Sequence, residues 1–171
     1  MAEENQSPEA GANDGQGGNN EPVFEIQRLY LKDASFESPS SPEVFTKAYQ
    51  PTSNVELNTV HRKLQENIYE VELNLTLTVK IEDMVAYLVE IKYAGIFGAA
   101  GYTDEQMDHL LASFCPNLMF PFAREIISDL AVKGGFPQML LAPINFDALY
   151  MQTLEERRKA AAAAEEEQVK H

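Results

Sequence analysis

The stretch YEVELNLTLTVKIEDMVAYLVEIKYAGIF, residues 69–97, decides how the rest of the chain must fold. Its first part alternates without a slip. Tyr69, Val71, Leu73, Leu75, Leu77 and Val79 are apolar, and Glu70, Glu72, Asn74, Thr76 and Thr78 stand between them. Side chains along a strand point to opposite faces with period two, so the pattern predicts one buried face and one wet face. The polar break IEDM, residues 81–84, leads into a second strand over residues 85–97, and a link this short predicts an antiparallel hairpin. In the second strand Val85, Tyr87, Val89, Ile91 and Tyr93 share one parity, while Leu88 and Glu90 take the other. Leu88 is therefore an apolar residue beside an acid on the polar face.

Upstream, residues 24–36 are rich in β-branched and aromatic side chains, but their alternation slips. Phe24 and Ile26 share one parity, Leu29 and Leu31 the other; a bulge or a change of neighbour near Arg28 explains the change. Val55 and Leu57 begin a further, weaker strand. Downstream the period changes. Thr103 and Gln106 form a capping box, and Met107, Leu110, Leu111 and Phe114 follow at helical spacing. Pro116 is expected to end that helix. Met119, Phe122, Ala123, Ile126, Ile127 and Leu130 make a second helical stripe, with Gly134 as the residue just beyond its end. The segment GGFPQMLLAPINFDAL is apolar but broken by Pro137 and Pro143, so it reads as a loop, and Phe146, Leu149, Tyr150 and Leu154 open a last helix. Strands first and helices later is an α+β order.

The chain has 171 residues, which suits one domain, and no internal repeat. Residues 1–23 hold five acids and no Lys or Arg among many Gly, Asn and Pro, so they are expected to be a disordered acidic tail. Residues 24–154 form the folded domain. Residues 155–171 are rich in Ala and Glu, so the last helix should run into them and then fray where acids meet the negative end of the helix dipole. The net charge of −14 argues against a nucleic-acid partner and against direct docking on an anionic membrane. Neither a signal peptide nor a run of about 20 apolar residues is present, and a cytoplasmic location is expected.

Little in the sequence points to catalysis. Cys115 is the only cysteine, and His61 and His109 lack a ligand-type neighbour at metal spacing, so no metal or other cofactor is expected. Cys115, after an apolar helical turn and before Pro116, reads as a buried structural thiol. Glu70 and Glu72 share a strand face, but alternating acids on a hairpin are more often simply solvated. The glycines of YAGIFGAAG lack the Lys-Ser/Thr of a P-loop and read as a tight turn into the helix. What stands out is apolar material in irregular structure: Phe36, Phe45 and Tyr49 around the proline-broken FESPSSPEVFTKAYQP, and Met139, Leu140, Leu141 and Ile144 in the later loop. Such loops either cover a core or line a groove for partners.

The segments FEIQRLYLKDASFE, IYEVELNLTLTV, EIKYAGIFGAAG, FCPNLMFPFAREIISDL and GGFPQMLLAPINFDALYMQ closely resemble the protein-export chaperone SecB family, in that family's order and over almost all of residues 24–152. The resemblance implies a four-stranded antiparallel sheet with helices packed on one side, assembled as a homotetramer that is a dimer of dimers. It implies ATP-independent holding of unfolded precursor proteins and their delivery to the translocation ATPase SecA, without enzymatic activity. By the same resemblance Asp33, Glu37, Leu88 and Glu90 match positions that contact SecA. Tyr87, Val89, Ile91 and Tyr93 match the surface between dimers, against the alternative of burial under the chain's own helices. Phe45, Tyr49, Met139, Leu140 and Leu141 fall where the client groove is built; Tyr49 stands where relatives can carry Trp. The alanine-rich tail departs from the polar tails usual in the family. An alternative from a different class is a small-ligand-binding α+β protein whose apolar loops close over one pocket.

Overall fold

The computed structural model describes residues 21–169, with side chains placed as far as residue 163. The expected disordered tail therefore lies almost wholly outside the described residues, and the expected fraying before His171 lies at their other limit. The elements are β1 (Val23–Glu37), a 3-10 turn (Glu43–Thr46), β2 (Pro51–Gln65), β3 (Ile68–Ile81), β4 (Met84–Ala100), α1 (Asp104–His109), a π turn (Leu110–Phe114), α2 (Cys115–Lys133) and α3 (Phe146–Val169). The strands form one antiparallel sheet in the order β1-β4-β3-β2, with α2 packed on the central pair.

The alternation in β3 becomes burial. Val71, Leu73, Leu75, Leu77 and Val79 are sealed beneath the helices, each such side chain contributing about 1.5–3 kcal/mol when fully buried. β3 and β4 turn through Glu82 and Asp83, with Ile81 paired to Met84, which is the expected hairpin. The slip in β1 is a bulge: the register shifts between Ile26 and Arg28, and again between Leu31 and Asp33. Each extra residue resets the parity, so Phe24, Ile26, Leu29, Leu31, Ala34 and Phe36 all pair with β4 residues of the helix-facing side. A third shift, opposite Val79 and Lys80, leaves Ala86 without a partner in the register and turns Val85 to the same side as Lys80. Val85 therefore leaves the face of Tyr87, against expectation. The Ser38 hydroxyl donates to the Ala86 carbonyl at 2.7 Å, satisfying a group that the shift leaves over.

Three local expectations fail for identifiable reasons. Gly95 and Gly98 are strand residues, not a turn into the helix. A Cβ at Gly95 would stand 2.6 Å from the Phe97 ring and 2.9 Å from Leu29, so that glycine serves packing; only Gly101, at φ 77°, belongs to the turn. Pro116 does not end a helix. The chain widens into a π turn over Leu110–Phe114, where the Cys115 N–H donates to the Leu110 carbonyl, and α2 runs on through Pro116 and Pro121. The wider turn moves the carbonyls that a proline ring would otherwise strike. Finally, Gly134 is the cap itself, and Gly135, at φ 85°, is the left-handed residue beyond it. The Gly135 N–H donates to the Val132 carbonyl and the Phe136 N–H to the Ala131 carbonyl, the paired bonds of a Schellman motif. Phe136 is thereby fixed in position and buried.

Candidate functional site

The outward face of the sheet carries the first set of expected residues. In the β1/β4 register Glu37 lies opposite Leu88, Ser35 opposite Glu90 and Asp33 opposite Lys92. Asp33, Glu37, Leu88 and Glu90 thus share one face of two adjoining strands, where directly opposed side chains are roughly 5 Å apart. The second β1 bulge is what brings Asp33 to this side.

The opposite face holds the apolar set, and the structure divides it. Phe45, on the 3-10 turn, is 52% exposed and Tyr49 41%, while Leu140 is 72% exposed. Met139 packs against the core and Leu141 is buried, its carbonyl accepting from Arg124 at 3.4 Å. Phe45 is joined to the loop through Phe136, with ring centroids 5.0 Å apart, and Phe136 lies 4.6 Å from Tyr87. Phe36 stacks on Tyr87 at 5.7 Å and packs against Gly134, where any Cβ would fall inside its ring. The two connections of the chain, one after β1 and one after α2, thus meet over a shared aromatic floor. Phe36 joins Phe45 here, as the sequence grouped them, and Phe136 completes the cluster; its aromatic character at the start of the second connection was the only sequence signal for it.

Two open grooves flank these parts. One, of about 560 Å³, runs between α2 and the loop, with Ile126, Val132 and Leu140 among its walls. The other, of about 380 Å³, lies between β2 and α3 and is lined by Leu57, Phe146, Leu149 and Tyr150.

Tyr87, Val89, Ile91 and Tyr93 point to the helix side and are buried within the single chain. Tyr93 stacks on Phe122 with centroids 6.1 Å apart, and Phe122 is itself 45% exposed.

Two polar clusters escaped the sequence reading. Glu70 is not a solvated acid: it is 5% exposed, accepts from the Tyr30 hydroxyl, and pairs with Arg62 Nε at 2.6 Å and Lys32 Nζ at 3.3 Å. Lys32 also reaches Glu72 at 2.6 Å. The Tyr30 hydrogen bond, followed by those of Arg62 and Lys32, holds the Glu70 carboxyl below its ordinary range. Tyr30 sits opposite Ala94, whose small side chain leaves room for it to cross to β3. Only the register reveals this. The second cluster ties down α3. Ser113 Oγ donates to Asp147 Oδ1 at 2.5 Å, and His109 Nε2 meets the same oxygen at 2.8 Å. Ser113 first and His109 second lower the pKa of Asp147. A serine, a histidine and an aspartate are together, yet the aspartate lies between the other two, so the imidazole cannot take the serine proton. The cluster anchors the first turn of α3. Burial pushes the Cys115 thiol up to about 12, which leaves it inert as a nucleophile.

Among the described residues no group of metal-binding side chains occurs, and no helix is long and apolar enough to cross a membrane. The sequence profile of the family described as Preprotein translocase subunit SecB matches residues 17–157. The chain belongs to the SecB family. It is 52% identical over 155 residues to the protein-export protein SecB of Methylococcus capsulatus, covering 91% of this chain and 92% of that one. With the SecB of Thioalkalivibrio sulfidiphilus it shares 57% over 134 residues, 78% and 80% of the two chains. A SecB-like chaperone of Mycobacterium tuberculosis, solved in complex with an antitoxin peptide, has the same fold, with a TM-score of 0.61 at 16% identity over 71% of this chain and 90% of that one. The function is that of a SecB-type chaperone in the export of unfolded precursors, and the chain is not an enzyme.

Proposed function

We propose that this SecB holds precursor proteins unfolded in the cytosol without ATP and passes them to the translocation ATPase SecA, working as a homotetramer built from two dimers. The observation that carries this reading is the division of labour between the two faces of one sheet. On the outward face the apolar Leu88 stands opposite Glu37, with Glu90 next along the strand and Asp33 one pair beyond it, an apolar anchor beside acids suited to a folded partner. Phe45 and Tyr49 stay exposed on the other side beside the buried Phe136 and Tyr87, Leu140 stays exposed on the loop that begins at Phe136, and these side chains offer an adaptable apolar surface suited to unfolded chain. Met139 and Leu141 support that wall from below. Several such grooves on one oligomer would add weak contacts into useful avidity.

In this reading Val89, Ile91 and Tyr93 act beneath the contact between dimers rather than in it, and Tyr87 at the end of the same row lies under the client groove. Tyr93 sets the pose of Phe122, which carries the apolar surface outward. The test is whether the purified protein, without nucleotide, suppresses aggregation of several unrelated unfolded proteins and binds SecA while loaded. Holding of only one small ligand, or no holding at all, would refute the reading.

A further inference from the structure

Tyr87 has a hydroxyl that its own fold does not use. The residue is 0% exposed, and its oxygen is buried with no hydrogen-bond partner. The ring is held between Phe36 and Phe136, so it cannot turn the hydroxyl toward water. Burial, first, and the neighbouring Tyr49 hydroxyl, second, raise its pKa. The group therefore stays a neutral O–H, with one proton to donate. A phenylalanine would fill the same space without that cost, because an unsatisfied buried hydroxyl opposes folding.

The side chains around this hydroxyl belong to the aromatic cluster described above, where the client groove is proposed. Tyr49 lies beside it, and Phe45 covers Phe136; both are substantially exposed and carried by the connection between β1 and β2. An extended apolar segment entering an aromatic groove brings main-chain carbonyls that lose water and need donors. We infer that Tyr87 is a specificity-determining residue of the client groove: Tyr49 moves aside and the Tyr87 hydroxyl donates a hydrogen bond to a main-chain carbonyl of the bound extended segment. The inference rests on the client-groove reading and adds a fixed polar point to an otherwise apolar floor. It also explains why a destabilising hydroxyl stands in the core.

The experiment compares the full-length wild type with Tyr87→Phe, using a fluorescently labelled, extended apolar peptide as probe and a melting curve for each protein. Tyr87→Phe should leave the melting temperature unchanged or raise it, and weaken peptide binding about five- to ten-fold, the size of one net hydrogen bond. Equal affinity for both proteins would overturn the inference. A lower melting temperature for Tyr87→Phe would also overturn it, since the hydroxyl would then have a partner in the free chain. Phe45→Ala separates this from the underlying reading. If Phe45→Ala weakens the peptide and Tyr87→Phe does not, only the hydrogen bond is wrong; if neither variant matters, the groove lies elsewhere.

Discussion

Leu140 and Leu141 are neighbours of one chemical type, and the fold gives them opposite tasks. Leu141 is 8% exposed and Leu140 is 72% exposed, so the same truncation to alanine should read out differently at each. For Leu141→Ala the loss is a buried side chain plus the space it leaves, about 2–5 kcal/mol. At roughly 2–4 °C per kcal/mol for a domain of this size, the melting temperature should fall by about 4–20 °C. Leu140 has little contact to lose. Taking the buried fraction of a leucine worth about 1.5–3 kcal/mol, Leu140→Ala costs about half a kcal/mol, roughly 1–2 °C. In the client groove the order reverses. In the proposed groove Leu140 is the wall offered to a client, so its truncation should weaken holding about three- to ten-fold, whereas folded Leu141→Ala should hold nearly as well as wild type. Calorimetry and light-scattering suppression of an unfolded client measure the two effects. If Leu140→Ala melts far below wild type yet holds clients normally, the loop is structural throughout and the groove assignment is wrong.

Glu90→Lys and Leu88→Arg should weaken SecA binding and its salt dependence while leaving client holding intact, because the outward patch and the groove lie on opposite faces; unchanged SecA affinity in both variants would remove the patch. Phe122→Asp should reduce the proposed tetramer to smaller species that remain folded, while Val89→Asp, with its charge forced into the core, should unfold; light scattering against the 19.1 kDa chain mass and circular dichroism decide this. Glu70 has a folded pKa below its unfolded value, so its contribution is present above the unfolded value, near 4.5, and is lost as pH falls through the folded one. Melting temperatures of wild type should therefore drop on acidification below about pH 4.5, and the Glu70 part of that drop should be missing in Glu70→Gln, which should itself lose about 1–2 kcal/mol at pH 7.

How legible the fold was depended on the range of the interaction behind each element. Local rules sufficed for β3, whose strict alternation is its burial pattern, and for the slip near Arg28, which proved to be a bulge. They sufficed for the Thr103/Gln106 capping box and for the apolar loop after α2. They failed where the packed surroundings of a residue, near or distant in sequence, decided the outcome. Gly95 looks like a turn residue until Leu29 and Phe97 are seen on either side of it. Pro116 looks like a stop until the π turn before it makes room. Val85 keeps the parity of Tyr87 on paper but loses it to a shift opposite Lys80. Among functional positions, strand parity was enough to separate Leu88 and Glu90 from Tyr87 and Val89. It could not show that Leu140 and Leu141 differ, because an irregular loop has no period.

The β4 alternation also bears on how a chaperone can hold one protein and address another. Successive residues from Tyr87 to Glu90 point in turn to the helix side, the outward face, the helix side and the outward face. The floor of the proposed groove and the proposed SecA patch are thus made by adjacent residues of one strand, back to back across a single backbone. Neither surface can be covered by the ligand of the other, which is what a loaded complex needs if it is to be recognised by SecA. The strand is held on both sides, by β1 and β3, and is therefore stiff. A partner pressing on Leu88 could shift Tyr87 only by moving that doubly paired strand. The connection bearing Tyr49 and the one bearing Leu140 lie off the sheet, outside its ladder of hydrogen bonds. Release of a client is for that reason expected to begin in those connections, with the docking face unchanged, and amide exchange should show protection changing at residues 38–50 and 134–145 on client binding while β4 stays constant.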